Sequence, residues 1–293
     1  MQMTSFHYIP ILIAAVVVLG ASSVHARRVT VEVEFGSEGV TISGTVLLPQ
    51  KIMAAVVLVH GSGREKRMTA LSDELADQGI ATLTYDKRGV GKSGGVYAGP
   101  EVGTNNISAE NLNLLASDAA AAVKELVRRL PSDTPVPVGL MGGSQAGWII
   151  PIAALRSSDA KFMVIWSGPI VTAREQLRFQ FYTDAKTDFW DHHTEAEARE
   201  HIKSDPDRFE FVDTDPLESL RKLSIPALWL FGGRDPNVPV RLSIERLHPL
   251  IESGKPYECE VFPRETHFLP TEKVIPITVD WLRRKLLSQA VDG

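Results

Sequence analysis

The stretch "LMGGSQAGW", Leu140 to Trp148, decides how this chain is read. The apolar run "VPVGLMGG" leads into it and "SQAGWIIPIAAL" leads out, so a strand passes through a tight glycine turn into a helix. Such a turn lifts Ser144 clear of a sheet edge, where a base and a substrate can both reach its hydroxyl. A serine needs that access, because it attacks well only when a neighbour takes its proton. The pattern for the purpose is G-x-S-x-G; counted from Gly142, the fifth place holds Ala146. Tightness calls for small neighbours, and Gly142, Gly143, Ala146 and Gly147 are all small. The position two after the serine needs little volume, so a methyl is tolerated where the backbone stays helical. The helix that follows would aim its free N–H groups at a developing negative charge. The plainer alternative is a strand–turn–helix connection with Ser144 as N-cap.

Moving outward, "AAVVLVHG", "IATLTYD", "KFMVIWSG" and "PALWLFGG" are also continuous apolar runs, the pattern of strands buried on both faces of a parallel sheet. Helical segments alternate with them: "TALSDELADQG", "SAENLNLLASDAAAAVKELVRRL", "VRLSIERLHPLIES" and "VDWLRRKLLSQ". In the long one, Leu112, Leu115, Ala119, Ala122, Leu126 and Leu130 form one apolar stripe, and Pro131 stops it. At the start, "RVTVEVEF" and "VTISGTVLLP" alternate apolar and polar residues around "GSEG", which predicts an antiparallel hairpin. The fold class is therefore α/β, a mostly parallel sheet with helices on both faces and an antiparallel N-terminal edge. Residues 169–224 break the alternation with a charged, aromatic, helix-prone segment. It is expected to form a helical insertion above a core made of residues 27–168 and 225–293.

Composition narrows the class. The 293 residues are 44% hydrophobic and 23% charged with a net charge of −5, an ordinary globular balance without a basic footprint for nucleic acid. The first 26 residues hold no Asp, Glu, Lys or Arg; "ILIAAVVVLGA" followed by "SSVHA" resembles a secretory leader cleaved after Ala26, though without a basic start. The run is shorter than the roughly 20 residues of a membrane span. A periplasmic or secreted protein is expected, with no stable membrane insertion after leader removal. Cys259 is the only cysteine, so no intrachain disulfide is available, and "YECEVF" makes it a buried small hydrophobe.

Three further segments carry chemistry. "LVHGSG" ends a buried strand and places the backbone N–H of Ser62 to share an oxyanion with that of Gln145; His60 reads as shaping the loop. Asp235, in "LWLFGGRDPNVP", and His267, in "FPRETHFLP", each lie just past a strand, at the edge where open α/β sheets bind ligands. Alone, each has a bland reading as a turn Asp or a loop His. Together, Ser144, Asp235 and His267 run in the order Ser…Asp…His. His248 competes as the base but sits in a helix. "DKRGVGKSGG" suggests a phosphate loop, yet Asp86 stands where G-x-x-x-x-G-K-[ST] requires its first glycine. Asp86 and Arg88 instead read as ion-paired braces, the alternative being Lys87 or Arg88 facing the pocket. Asp191, His192, His193 and His201 make a poor metal set, since adjacent residues do not share a helix face. Phe179, Phe181, Tyr182, Phe189 and Trp190 divide between a private core for the insertion and the lining of a pocket.

The blocks "LVHGSG", "GIATLTYDKRGVGKSGG", "GLMGGSQAGW", "GGRDPNVP" and "THF" resemble the α/β-hydrolase superfamily, in particular a bacterial serine-esterase branch related to dienelactone hydrolases and prolyl-oligopeptidase-like enzymes. The likeness runs from about Ala54 to the C-terminus, the insertion excepted. It implies the α/β-hydrolase fold with a helical cap over the site. It further implies Ser144 as nucleophile, His267 as general base, Asp235 as its orienting acid, and Ser62 and Gln145 as oxyanion donors. The activity implied is hydrolysis of a small-molecule carboxylic ester with neither cofactor nor metal. A peptidase, an acyl-thioesterase or an inactive binding module of the same fold are the alternatives.

Overall fold

The computed structural model describes residues 28–99, 106–132 and 135–287; the leader and its cleavage point lie outside them. The chain opens with the hairpin β1 (Val29–Ser37) and β2 (Val40–Leu48), followed by β3 (Ala54–Val59), α1 (Thr69–Asp77) and β4 (Ile80–Tyr85). Next come α2 (Ala109–Arg129), β5 (Val138–Gly143), α3 (Ala146–Arg156) and β6 (Ala160–Trp166). Four helices follow before the next strand: α4 (Ala173–Thr183), α5 (Phe189–His192), α6 (Glu195–Ser204) and α7 (Leu217–Leu220). The chain ends with β7 (Ala227–Gly232), α8 (Val240–Glu252), β8 (Tyr257–Phe262) and α9 (Thr271–Leu287).

The eight strands form one sheet in the order β1-β2-β4-β3-β5-β6-β7-β8. β1 pairs antiparallel with β2, and β2 antiparallel with β4, while the pairs from β4 to β8 are parallel. Period-two geometry divides β3 between two cores. Ala55, Val57 and Val59 face α2, α3 and α8; Ala54, Val56 and Leu58 face α1 and α9. All six are essentially inaccessible to solvent, and each Val or Leu so buried contributes roughly 1.5–3 kcal/mol relative to exposure. Every chemically interesting loop at the site then leaves the C-terminal end of one of these parallel strands.

Two helix boundaries follow from local chemistry. Ser108 caps α2 by accepting the Asn111 N–H, and the helix ends at Arg129, with Leu130 already extended ahead of Pro131. α9 begins at Thr271, eight residues ahead of the segment that periodicity picks out, and it contains Pro276. A proline normally interrupts a helix. Here Val274, Ile275, Val279, Trp281 and Leu282 all pack against the sheet, and that burial outweighs the local break. Cys259 is half-buried in the edge strand β8, and burial raises its thiol pKa. Among the described residues no helix is long and apolar enough to cross a membrane.

A buried ion pair ties the hairpin and α2 to the loop after β4. Arg88 Nε donates to Asp118 Oδ2 at 2.9 Å, its other arm reaches Asp118 Oδ1, and the same arm donates to the Ser37 carbonyl at 3.1 Å. Burial pushes the Asp118 carboxyl pKa up, and the guanidinium pulls it back. Replacing Asp118 by Ala strands a buried guanidinium, so the unfolding free energy should fall by about 3–5 kcal/mol in urea titration at pH 7.

Candidate functional site

Ser144 directly follows β5 and holds a left-handed backbone, φ 56°. For a non-glycine residue that conformation costs of order 1–3 kcal/mol. Two hydrogen bonds hold it: the Ser144 N–H donates to the Trp166 carbonyl at 3.0 Å, and the Gly147 N–H donates to the Ser144 carbonyl at 2.8 Å. The helix itself starts at Ala146, preceded by Gln145 without a side-chain cap, so Ser144 is not a plain N-cap. Ala146 is buried and fits because Gly142 lacks a side chain. A Cβ at Gly142 would stand 2.8 Å from the Ala146 methyl and collide with the Val59 carbonyl oxygen. The alanine in the fifth place of the motif is thus accommodated four residues earlier.

Asp235, 1% exposed, lies just past β7. One carboxylate oxygen accepts the N–H groups of Asn237 at 2.7 Å and Val238 at 3.0 Å. The other accepts from His267 Nδ1 at 2.8 Å. An ionised carboxylate can only accept, so Nδ1 carries the hydrogen and Nε2 is the basic nitrogen. The loop bearing His267 is laid against the end of β7: Gly233 N–H donates to the Phe262 carbonyl at 2.8 Å, and Arg234 N–H to the Glu265 carbonyl at 2.9 Å. Gly232 permits this approach, since a Cβ there would run into the Thr266 carbonyl oxygen.

Ser144 and His267 line one cavity of about 750 Å³, together with Gly61, Ser62, Gly63 and Gln145. Among the described residues no hydrogen bond joins the Ser144 hydroxyl to the imidazole, whereas the acid and the histidine are paired directly. In unliganded sites such bonds are often long and tighten when substrate arrives. The far wall comes from the segment between β6 and β7, through Gln176, Leu177, Gln180, Phe181 and Phe209.

The sequence over residues 50–228 matches the family described as "Serine aminopeptidase, S33". The chain belongs to this family of α/β-hydrolases. Solved structures share the fold. An esterase of Pyrococcus furiosus is 21% identical with a TM-score of 0.58, over 87% of this chain and 88% of its own. A dienelactone hydrolase of Anabaena variabilis is 17% identical with a TM-score of 0.56, over 88% and 98%. An acylaminoacyl peptidase of Pyrococcus horikoshii is 17% identical with a TM-score of 0.56; the match spans 82% of this chain and 37% of the peptidase. A comparison with curated sequences finds no significant match.

Other candidate residues of the hydrolase have different duties. Asp86 accepts the Lys92 N–H at 2.9 Å and lies 3.7 Å from the Arg67 guanidinium, so it braces the loop without pairing with Arg88. Lys87 donates to the carbonyls of Gly61 and Gly63, a placement that residue type alone does not disclose. His192 lies 3.9 Å from Asp188, whereas His193, stacked on Phe189, and His201 both lie against Tyr182, His193 through the tyrosine hydroxyl and His201 stacked on its ring. His248 pairs with Glu252 on α8. Phe179, Tyr182, Phe189 and Trp190 pack together with Ala198 and Ile202, whereas Phe181 joins the cavity wall beside Phe209. Sequence reasoning misses Asn106, Gln176, Gln180 and Asn237 as lining residues. No motif marks them, and only the folding of the segment between β6 and β7 and of the loops brings them to the cavity.

His60 is buried, its Nε2 donates to the Lys66 carbonyl at 3.3 Å, and its ring meets the Tyr85 ring edge-on at 4.7 Å. Burial first, and the Lys87 charge second, push its pKa down to about 4. An unfolded chain protonates this imidazole near pH 6.5. Between those values the unfolded state binds more protons, so stability should decline as pH falls from about 6.5 toward 4. Urea titrations across that window should show a shallower decline for His60→Gln. Gly232→Ala should displace the His267 loop: the downfield proton NMR signal of the Asp235–His267 hydrogen bond should vanish while far-UV circular dichroism stays unchanged.

Proposed function

We propose that this hydrolase cleaves carboxylic esters through an acyl-enzyme, with Ser144 as nucleophile, His267 as general base and Asp235 holding the imidazole. The observation that carries this reading is the convergence on one cavity of a strained serine turn and a carboxylate-paired histidine. Ser144 Oγ attacks the ester carbonyl while His267 Nε2 takes its proton. The tetrahedral oxyanion is stabilised by the backbone N–H groups of Ser62 and Gln145. Collapse expels the alcohol, which leaves with the proton from His267. Water, activated by the same nitrogen, then attacks the acyl-enzyme and releases the acid. The substrate is a small molecule. Residues 169–224 act as a cap over a core of residues 27–168 and 225–293, and the leader of residues 1–26 directs export to the periplasm or beyond.

A second reading is favoured by the matched family description, serine aminopeptidase: amide cleavage by the same machinery. A panel of p-nitrophenyl esters, acyl-thioesters and aminoacyl-anilides ranks the activities, and esters are expected to lead. Ser144→Ala should lower kcat on a short p-nitrophenyl ester by about a million-fold and abolish fluorophosphonate labelling while the fold is retained. Retained turnover by that variant would reject the assignment.

A further inference from the structure

Lys87 is 2% exposed and does not itself line the cavity, yet its ammonium bonds to residues that do. It donates to the Gly61 carbonyl at 2.6 Å, the Gly63 carbonyl at 3.2 Å and Gln145 Oε1 at 3.2 Å. Its own backbone N–H donates to the Glu65 carbonyl at 3.1 Å, and its ammonium stands 5.8 Å from the Tyr97 ring centre. One residue therefore grips both loops that would supply oxyanion donors.

The chemistry of those contacts is specific. The Gly61 carbonyl and the Ser62 N–H are two ends of one peptide group. A cation bonded to the oxygen draws electron density toward it and leaves the N–H more positive, so the donor at the far end strengthens. On the other loop, Gln145 is held from both ends of its side chain: Oε1 by Lys87, and Nε2 by donating to the Asn106 carbonyl at 2.7 Å. Glu65 completes the frame. Its carboxylate oxygen lies against Gly61 and Gly63, the neighbours of Ser62 on each side; burial raises its pKa, and the Lys87 charge and those two backbone amides pull it back. A buried ammonium and a part-buried carboxylate thus engage the backbone of residues 61 and 63, and the Ser62 amide lies between them.

We infer that Lys87 is a positioning residue for the oxyanion hole: it polarises the Gly61–Ser62 peptide and fixes Gln145, so that both backbone donors are aligned before substrate arrives. This rests on the proposed acyl-enzyme chemistry, and its role is electrostatic as well as structural. A purely structural lysine would satisfy two carbonyls, and its loss would show in stability alone.

The test uses Lys87→Met and, should that variant fold poorly, Lys87→Gln, which keeps a donor but lacks the charge. Active-site titration counts folded enzyme. Turnover of p-nitrophenyl acetate and binding of an aryl trifluoromethyl ketone, whose serine adduct carries the same oxyanion, are measured in parallel. For either folded variant, kcat should fall about 10- to 100-fold, less than or comparable to the loss of a whole oxyanion donor, with KM within about threefold. Affinity for the ketone should weaken by the same factor. Unchanged kcat in a folded variant overturns the inference. So does a loss confined to KM or melting temperature with ketone affinity intact. Wild-type protein that neither turns over the ester nor reacts with fluorophosphonate would overturn the functional reading itself, a result distinguishable from failure of the Lys87 role.

Discussion

The hydrogen bond from the Ser144 amide to the Trp166 carbonyl fixes a residue in a backbone conformation it would not choose. Everything at the site depends on that constraint. The turn can close only because β5 and β6 run parallel side by side, with Gly143 opposite Trp166, and because Gly142 admits β3 and Ala146 at close range. The local strain is sustained by a sheet whose central strands are buried on both faces.

The sheet was legible because burial on two faces leaves an unmistakable mark. β3, β4 and β7 contain only buried residues; β3 and β7 are unbroken runs without a charged or hydroxyl side chain, and β4 adds only the hydroxyls of Thr82, Thr84 and Tyr85 between Gly79 and Asp86. The hairpin was equally clear, since β1 alternates between exposed and buried positions after its first residues. α9 was legible only in its second half. Pro276 hid the first turns from a reading based on propensity, and no sequence rule weighs a proline against the packing of Val274 and Trp281 on a sheet.

The candidate site was legible where a residue type and its place after a strand coincide. Ser144, Asp235 and His267 satisfy that condition, and the structure places the acid and the histidine in contact and the serine on the same cavity. The duty of Lys87 was hidden, because nothing in "DKRG" distinguishes a lysine turned toward a neighbouring loop from one turned toward substrate. The lining amides were hidden for a different reason: Gln176 and Gln180 sit one turn apart on α4, and only the docking of that helix shows which face meets the cavity.

The segment between β6 and β7 contributes cavity wall from one side of α4, while Phe179, Ala198 and Ile202, joined by Tyr182 and Trp190, knit it together on another. The aromatic cluster and the cavity wall are therefore built from largely different side chains, with Phe181 and Phe209 pairing within the wall itself. Gln180 donates to Asn237 Oδ1 at 3.3 Å and Phe181 lies against Phe209 and beneath the Arg208 guanidinium, so these two wall residues also hold the segment to itself and to the loop after β7. A substitution at either position reshapes the cavity wall and loosens one of those ties, while the aromatic cluster, the serine turn and the imidazole keep their own contacts.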